Sequence, residues 1–438
     1  MKGKTVRINL ITTLMLGAIT APAFASDFFD DLKANGQLRA GGGSYQMPSV
    51  FFDPKAPEVY DDLFHEQAAS ARVNLQSGLW KDIFQLNIGI AGAVPVGYSN
   101  FGDKYVKIKN GKAQSYGGYT AYGTFFLPND MSLQVGNRTI SKRESVLLFD
   151  YDNRLTPGRS TGATFNWNPD NFRFNATHVV SGAERTDDES IDYGYVENGK
   201  VTKKSGVTAL SAFYDGDNLQ VISGYGVQAD IKQRGYIEFL GNIDIGPGKL
   251  MLGTNYDIVN PLGVLKADIE SSGYEAENIS IAGIKAHYGV NGYKFGVSYA
   301  ANSDEDWQQD SKFAGMSGEK AYAFAGGAER GFDKTDHRSY AGNRVGPGAT
   351  ATGQQTIKVD AQKNMIIDDQ MLSMNLVYVN MNYPRAFDDH VINAYVDYKI
   401  TENLMLNLNL EYGSGSWGNE NVDELSWFGA GFMAMYSF

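Results

Sequence analysis

The 438 residues contain no cysteine, set 38 basic against 50 acidic side chains, and combine 50 Gly with 26 Tyr and 24 Phe. Such a chain has no disulfide framework and no thiolate metal site, and a net charge of −12 lacks the basic footprint that nucleic-acid binding needs. A mean hydropathy of −0.32 argues against a helical membrane protein but leaves room for a β-barrel, whose inward face is polar.

The chain opens with Lys2, Lys4 and Arg7, an apolar run from Ile8 to Ile19, and Ala21-Pro-Ala-Phe-Ala25. A charged start, a short apolar centre and an A-x-A end predict a secretory signal over Met1–Ala25. The apolar run is too short for the ~20 residues a spanning helix requires. Residues 26–438 then form the exported part, with 35 basic and 50 acidic side chains and a net charge of −15. No later segment could span a bilayer as a helix, so export leads to the periplasm, the medium or the outer membrane.

From there on, runs with period-2 alternation recur to the end of the chain. They predict strands at 34–44, 67–79, 83–94, 116–127, 131–139, 160–167, 172–181, 206–214, 218–228, 231–243, 249–258, 278–289, 293–302, 355–363, 371–381, 390–400, 403–412 and 425–438. Short connections at Trp80-Lys-Asp82, Pro128-Asn-Asp130, Asn168-Pro-Asp-Asn171, Asp215-Gly-Asp217, Gly246-Pro-Gly248, Asn291-Gly292, Asp368-Asp-Gln370 and Thr401-Glu402 alternate with longer polar ones. Short periplasmic turns and long external loops are the rhythm of outer-membrane barrels. The fold class is therefore all-β: one transmembrane antiparallel β-barrel of eighteen strands, with sixteen as the alternative count.

The last two strands carry the clearest signal. Leu404, Leu406, Leu408, Leu410 and Tyr412 share one face, and Asn403, Met405, Asn407, Asn409 and Glu411 share the other. Lipid outside and water inside demand that contrast. In the terminal strand, Phe428, Ala430, Phe432, Ala434, Tyr436 and Phe438 fall together, an aromatic surface that would be an adhesive edge in a soluble sheet.

Turning the apolar faces outward places Arg39, Arg72, Asn74, Gln76, Gln134, Arg138, Arg173 and Asn175 in the lumen. From the later strands it adds Lys294, Lys358, Asp360, Asn375, Asp397, Lys399, Asn407, Asn409 and Glu411. Thirteen Arg follow the signal, and seven of them lie between 39 and 173. Charged rings and stripes set selectivity in channels. The competing role for each is an ion pair that merely holds strands in register. Arg143, Arg154 and Arg159 are assigned to one external loop, Ile140–Arg159, the third along the chain. Its apolar centre, Val146-Leu-Leu-Phe149, suits a loop folded into the barrel. The expected mechanism is a cationic track of Arg39, Arg72, Arg138, Arg154 and Arg173, opposed across the constriction by Glu144, Asp150 and Asp152.

Three segments resemble the OprD family of substrate-specific outer-membrane porins, which includes chitooligosaccharide porins. They are Leu75-Gln-Ser-Gly-Leu-Trp-Lys-Asp-Ile-Phe-Gln-Leu-Asn-Ile, Leu133-Gln-Val-Gly-Asn-Arg138 and Leu147-Leu-Phe-Asp-Tyr-Asp-Asn-Arg-Leu-Thr-Pro-Gly-Arg-Ser-Thr-Gly162. The resemblance implies an eighteen-stranded barrel with a basic ladder guiding carboxylate-bearing or sugar substrates. Arg39, Arg72 and Arg138 match ladder places, and Arg154 matches the loop position. The Gly- and Ala-rich insert Ser303–Gly353 departs from the pattern.

An enzyme is not expected. His65, His178, His287, His337 and His390 are scattered without metal-ligand spacing, and Asp333, His337 and Ser339 are too close in sequence to converge as a triad. No catalytic residue, metal or cofactor is assigned. Acidic loop clusters such as Asp187-Asp-Glu189 and Asp304-Glu-Asp306 suit a hydrated rim better than cation bridges to lipopolysaccharide. The expected partners are outer-membrane lipid and lipopolysaccharide together with small polar solutes, in a monomer or homotrimer. The expected function is passive, partly selective diffusion of amino acids, carboxylates or short oligosaccharides. A non-conducting structural or adhesive barrel is the competing reading, with a barrel hydrolase third. An epitope placed at Asn291-Gly292 should be hidden on intact cells, and one placed within Gly413–Glu424 should be reachable. Surface labelling at Asn291 would reverse the topology.

Overall fold

The computed structural model describes residues 31–46, 64–97, 99, 107–109, 112–148, 150, 155–183, 190–197, 200–305, 353, 355–382, 387–417 and 425–438. Alternation converts almost all of this into strand. In chain order these are β1 (Lys33–Tyr45), β2 (Phe64–Gln76), β3 (Phe84–Pro95), β4 (Tyr116–Leu127), β5 (Met131–Arg138), β6 (Arg159–Trp167), β7 (Phe172–Ala183), β8 (Val207–Asp215) and β9 (Leu219–Gln228). They continue as β10 (Lys232–Ile245), β11 (Gly248–Pro261), β12 (Ile279–Val290), β13 (Tyr293–Asn302), β14 (Gln355–Ile367), β15 (Gln370–Asn382), β16 (Phe387–Lys399), β17 (Leu404–Trp417) and β18 (Leu425–Ser437). Each pairs antiparallel with the next, and β1 pairs with β18, from Gln37 opposite Ser437 to Tyr45 opposite Gly429. The result is a closed barrel of eighteen strands. A two-residue piece, Ile191–Asp192, and two short hairpins, Lys107–Lys109 with Lys112–Gln114 and Gly194–Glu197 with Lys200–Lys204, decorate the loops.

The hairpin turns follow from residues that tolerate left-handed backbone. Asn291 and Gly292 have φ of 49° and 76°, and Asp368 and Asp369 have 48° and 63°. Two successive positive φ values are what a two-residue turn matched to strand twist requires. Asn129, Asp130, Asp170 and Gly246 also have positive φ in the turns that they occupy. The turn after β2 is wider than the alternation suggests. β2 spans Phe64–Gln76 rather than 67–79, because Ser77 leaves the ladder: its amide bonds Leu86 O at 2.9 Å and its Oγ accepts the Leu86 amide at 2.9 Å. At the other rim β17 runs on through Trp417, beyond the expected end at 412.

Facing follows the alternation. Leu408, Leu410 and Tyr412 are about half exposed on the outside, while Asn409 and Glu411 between them are 5 % and 1 % exposed. Phe428, Phe432, Tyr436 and Phe438 all lie on the outer surface. Ring pairs Phe84–Phe125, Trp167–Phe174, Phe172–Phe174, Tyr293–Phe295 and Tyr436–Phe438 gather beside the short turns, as an interfacial girdle would. Among the described residues no helix is long and apolar enough to cross a membrane. The helix α1 (Gly263–Ser271) sits in the connection between β11 and β12, where Leu265 and Ile269 bury Ile231 of the adjacent connection.

Closure depends on one seam. The Gly36 amide bonds Phe438 O at 2.9 Å, the Phe438 amide bonds Gly36 O at 3.0 Å, and a Cβ at Gly36 would lie 2.3 Å from the Phe438 ring. Phe438→Ala strips the ring that covers Gly36 at the end of this seam. The expected result is a several-fold fall in heat-modifiable barrel in the membrane fraction; wild-type levels would show that the ring is dispensable for assembly.

Candidate functional site

The strands that flank the third long loop are short. β5 has 8 residues and β6 has 9, against 12 in β4 and β7. The loop therefore leaves the wall part-way along it. Its apolar centre drives it inward: Ile140, Val146, Leu147 and Leu148 are buried against Val179, Tyr193, Val207, Ala209, Phe213, Ile222 and Tyr236. Burying each such side chain contributes about 2 kcal/mol. Gly224 on β9 makes the room, since a Cβ there would stand 3.2 Å from both Val146 and Leu147. The Val146 amide donates to Ser211 Oγ on β8 at 3.0 Å, and Ser70 Oγ on β2 donates to Leu155 O at 2.8 Å. One loop is thus anchored to two well-separated parts of the wall, and it straps the lumen.

On the β1–β4 side the loop leaves space. A cavity of about 360 Å³ is lined on its lumenal side by Arg72 and Asn74 of β2, Thr120 and Tyr122 of β4, Thr156 of the loop and Arg159. Small residues keep it open: a Cβ on Gly89 would meet Asn74 and Thr120 at 2.5 Å, and one on Gly118 would meet the Arg159 guanidinium at 2.2 Å.

The structure sorts the residues expected in the pore. Arg39, Arg138 and Arg159 are 5–6 % exposed on the inner face, and Arg72 joins Arg159 in the cavity wall. Arg159 is the first residue of β6 rather than part of the loop. Arg39 Nε donates to Gln37 Oε1 at 2.6 Å. Arg138 Nη1 bonds Glu144 Oε1 at 2.8 Å, while its Nη2 is buried with no hydrogen-bond partner among the described residues. Glu144, which also accepts the Ser141 amide at 2.8 Å, therefore sits beside Arg138 instead of facing it across a constriction. Asp150 does not stand across a constriction either: it closes the neck of the loop, accepting the Ile140 amide at 2.8 Å and the Ser160 hydroxyl at 3.0 Å. Burial pushes its carboxyl up to about 7, against those two hydrogen bonds and the charges of Arg138 and Arg159. Arg143 is exposed, and its carbonyl accepts Arg173 Nη1 at 3.3 Å. Arg173 pairs with Asp215 at 2.8 Å and lies 4.6 Å over the Phe213 ring, so it ties β7 to β8 beside a turn. Asp152 and Arg154 lie outside the described residues, as does most of the insert Ser303–Gly353.

A second charged wall contains Lys358 and Asp360, which alternation places in the lumen, together with Arg234, Glu238, Asp257, Lys285 and His287, which the count of arginines early in the chain leaves out. On β10–β14, Arg234 Nε bonds Asp257 at 2.8 Å, Lys285 bonds Glu238 at 3.0 Å, Tyr236 OH donates to Glu238 at 2.9 Å, and His287 and Lys358 lie 3.3 and 3.5 Å from Asp360. Its signal was present: Lys232, Arg234, Tyr236 and Glu238 alternate with the outward Ile237 and Phe239.

No family model and no curated protein sequence matches the chain. Solved structures do. OpdK of Pseudomonas aeruginosa, determined with vanillate, is 13 % identical with a TM-score of 0.70, covering 94 % of this chain and 99 % of its own. OccK9 (OpdG) of the same organism gives 15 %, 0.71, 94 % and 99 %; OccAB3 of Acinetobacter baumannii gives 13 %, 0.68, 94 % and 100 %. At these identities the likeness is one of fold, and it runs nearly from end to end.

Leu147→Asp puts a charge into the apolar contact between loop and wall. A buried unpaired carboxylate there costs several kcal/mol unless the loop lets go. Single-channel recordings should show a larger and noisier open conductance; a conductance equal to wild type would mean that the strap does not narrow the pore.

Proposed function

We propose that the chain is an outer-membrane porin of the OprD type, exported by a signal at Met1–Ala25. In this reading residues 26–438 give passive, partly selective diffusion of small polar solutes. The observation that carries it is the strapped lumen: an inward loop held by apolar packing, beside an opening edged by Arg72 and Arg159. An adhesive or purely structural barrel has no use for a loop that narrows but does not fill the interior.

The chemistry follows from the walls. Guanidinium groups in a half-desolvated passage attract carboxylates and polar oxygens more strongly than they would in bulk water. Arg138 keeps an unspent Nη2 donor, and Asn74 and Thr120 supply neutral hydrogen bonds alongside. Passage needs entry to be favourable and residence brief, so a shallow ladder of such groups suits it better than one deep site. Arg39 and Arg154 belong to the same track by sequence position. Arg143 and Arg173 serve the loop and the wall instead. The long-loop rim then faces lipopolysaccharide, the short turns face the periplasm, and no catalytic step is involved.

The test is Arg72→Gln with Arg159→Gln, two changes compatible with a wet lumen. In a salt gradient the reversal potential should shift toward cations, and more so at low salt, where the screening length grows from roughly 8 Å at physiological ionic strength to about 30 Å at 0.01 M. Uptake of small carboxylates by swelling liposomes should fall while neutral solutes are spared. An unchanged reversal potential in a correctly folded variant would reduce both residues to register-holding pairs, and absence of any conductance in the wild-type barrel would remove the porin reading itself.

A further inference from the structure

The neck of the strap contains a carboxyl group with an unusual set of partners. Asp150 Oδ2 accepts the Ile140 amide at 2.8 Å, Oδ1 accepts Ser160 Oγ at 3.0 Å, and the Asp150 amide returns to Ile140 O at 2.8 Å. Both side-chain partners are neutral donors. Among the described residues two charges lie near it: Arg138 of β5, whose Nη1 binds Glu144, and Arg159, whose guanidinium lies along Gly118 of β4 at the edge of the cavity. Among the described residues the Tyr122 phenol also faces Arg138, with the guanidinium carbon 6.0 Å from its ring.

Resting on the porin reading, we infer that Asp150 is a specificity-determining residue whose protonation sets the net charge of the constriction without moving the loop. The reason lies in the Ser160 hydroxyl, which can donate to a carboxylate or accept from a carboxylic acid. The Ile140 amide needs only an acceptor, and either form of the carboxyl provides one. The neck therefore closes in both states. What changes is one negative charge at the neck of the loop, close enough to Arg138 and Arg159 to couple to both, and low dielectric magnifies it. Burial, opposed by those two arginines, puts the transition at about 7. The group is neutral below that point and ionised above it, so the constriction is more cationic on the acid side and anion preference should fall as pH rises.

This separates selectivity from pore size. Ionisation that loosened the loop would change conductance; ionisation that only adds charge changes the reversal potential. Asp150→Asn provides the lock, since its Oδ1 still accepts the Ile140 amide and its Nδ2 donates to Ser160 Oγ, in the arrangement of the protonated acid.

The experiment uses the full barrel in planar bilayers under a KCl gradient, a unit either side of neutral pH. Wild type should shift its reversal potential toward cations on the alkaline side at nearly constant conductance. Asp150→Asn should lose that shift and match acid-side wild type at both pH values. Should Asp150→Asn fail to assemble, Ser160→Ala tests the same point: the charge-assisted bond to the carboxylate is the stronger of the two that the hydroxyl can make, so its loss should move the midpoint to higher pH. A shift that survives in Asp150→Asn, or a midpoint unmoved in Ser160→Ala, assigns the titration to another group and overturns the inference. Anion preference that responds to Arg72 and Arg159 but not to pH would leave the porin reading standing and this one fallen.

Discussion

Hydrocarbon offers a peptide group nothing to bond with, and every other feature of this barrel follows from that. Each amide and carbonyl within the wall must find its partner on a neighbouring strand, so no strand may be left as an edge. The chain meets the demand by returning its last strand to its first. The seam from Gln37–Ser437 to Tyr45–Gly429 uses small residues on β1: Gly41 and Gly42 stand opposite the bulkier Met433 and Phe432 of β18, Ala40 opposite Ala434, and Gly43 opposite Gly431. Closure then fixes the facing of all eighteen strands. A one-residue slip anywhere would turn arginines to lipid and leucines to water.

Once the wall is closed, the interior is the place where the sequence can depart from strict alternation. Most inward positions are polar, as a wet lumen requires. On β7–β10 several are not: Val179, Val207, Ala209, Phe213 and Ile222 point inward and are buried. They would be costly in a water-filled pore, and they are covered by the apolar centre of the loop. Strap and wall are thus one hydrophobic unit, and the open cavity edged by Arg72 and Arg159 lies on the other side of the loop. The β10–β14 wall contributes rigidity of a different kind, because Arg234, Lys285 and Lys358 are matched to Asp257, Glu238 and Asp360. Such pairs are weak evidence for stability but good devices for holding side chains in place.

Alternation with turn chemistry made the barrel readable. Each of the eighteen predicted segments overlaps a strand, and the turns at Asn291-Gly292 and Asp368-Asp369 sit where the residue types place them. The errors have local causes. β2 was read too far because Leu79 continues the apolar pattern, whereas Ser77 uses its hydroxyl to end the ladder. The inward fold of the loop could be read from Val146-Leu-Leu-Phe149, since an apolar run has no reason to stand in water. The roles of its acidic residues could not. Whether Glu144 and Asp150 oppose an arginine, pair with it or staple the loop depends on distances that no spacing encodes. Parity turns Arg173 inward and so suggests the track; only its height, level with Asp215 beside a turn, shows that it braces the wall.

The opening itself is defined by absent side chains as much as by charged ones. Gly118 carries nothing where the Arg159 guanidinium lies, so that side chain can run along the wall rather than across the passage. Gly89 leaves Asn74 and Thr120 free to approach one another, and Ala91 beside it is short. A larger residue at 118 would push the guanidinium into the lumen, with the same charge but a narrower path. The chain therefore separates two properties that a single arginine would otherwise couple: the field felt by a passing solute and the space left for it. In the porin reading, glycine on β3 and β4 sets the space, arginine on β2 and β6 sets the field, and the strap between them would determine which solutes come near enough to feel both.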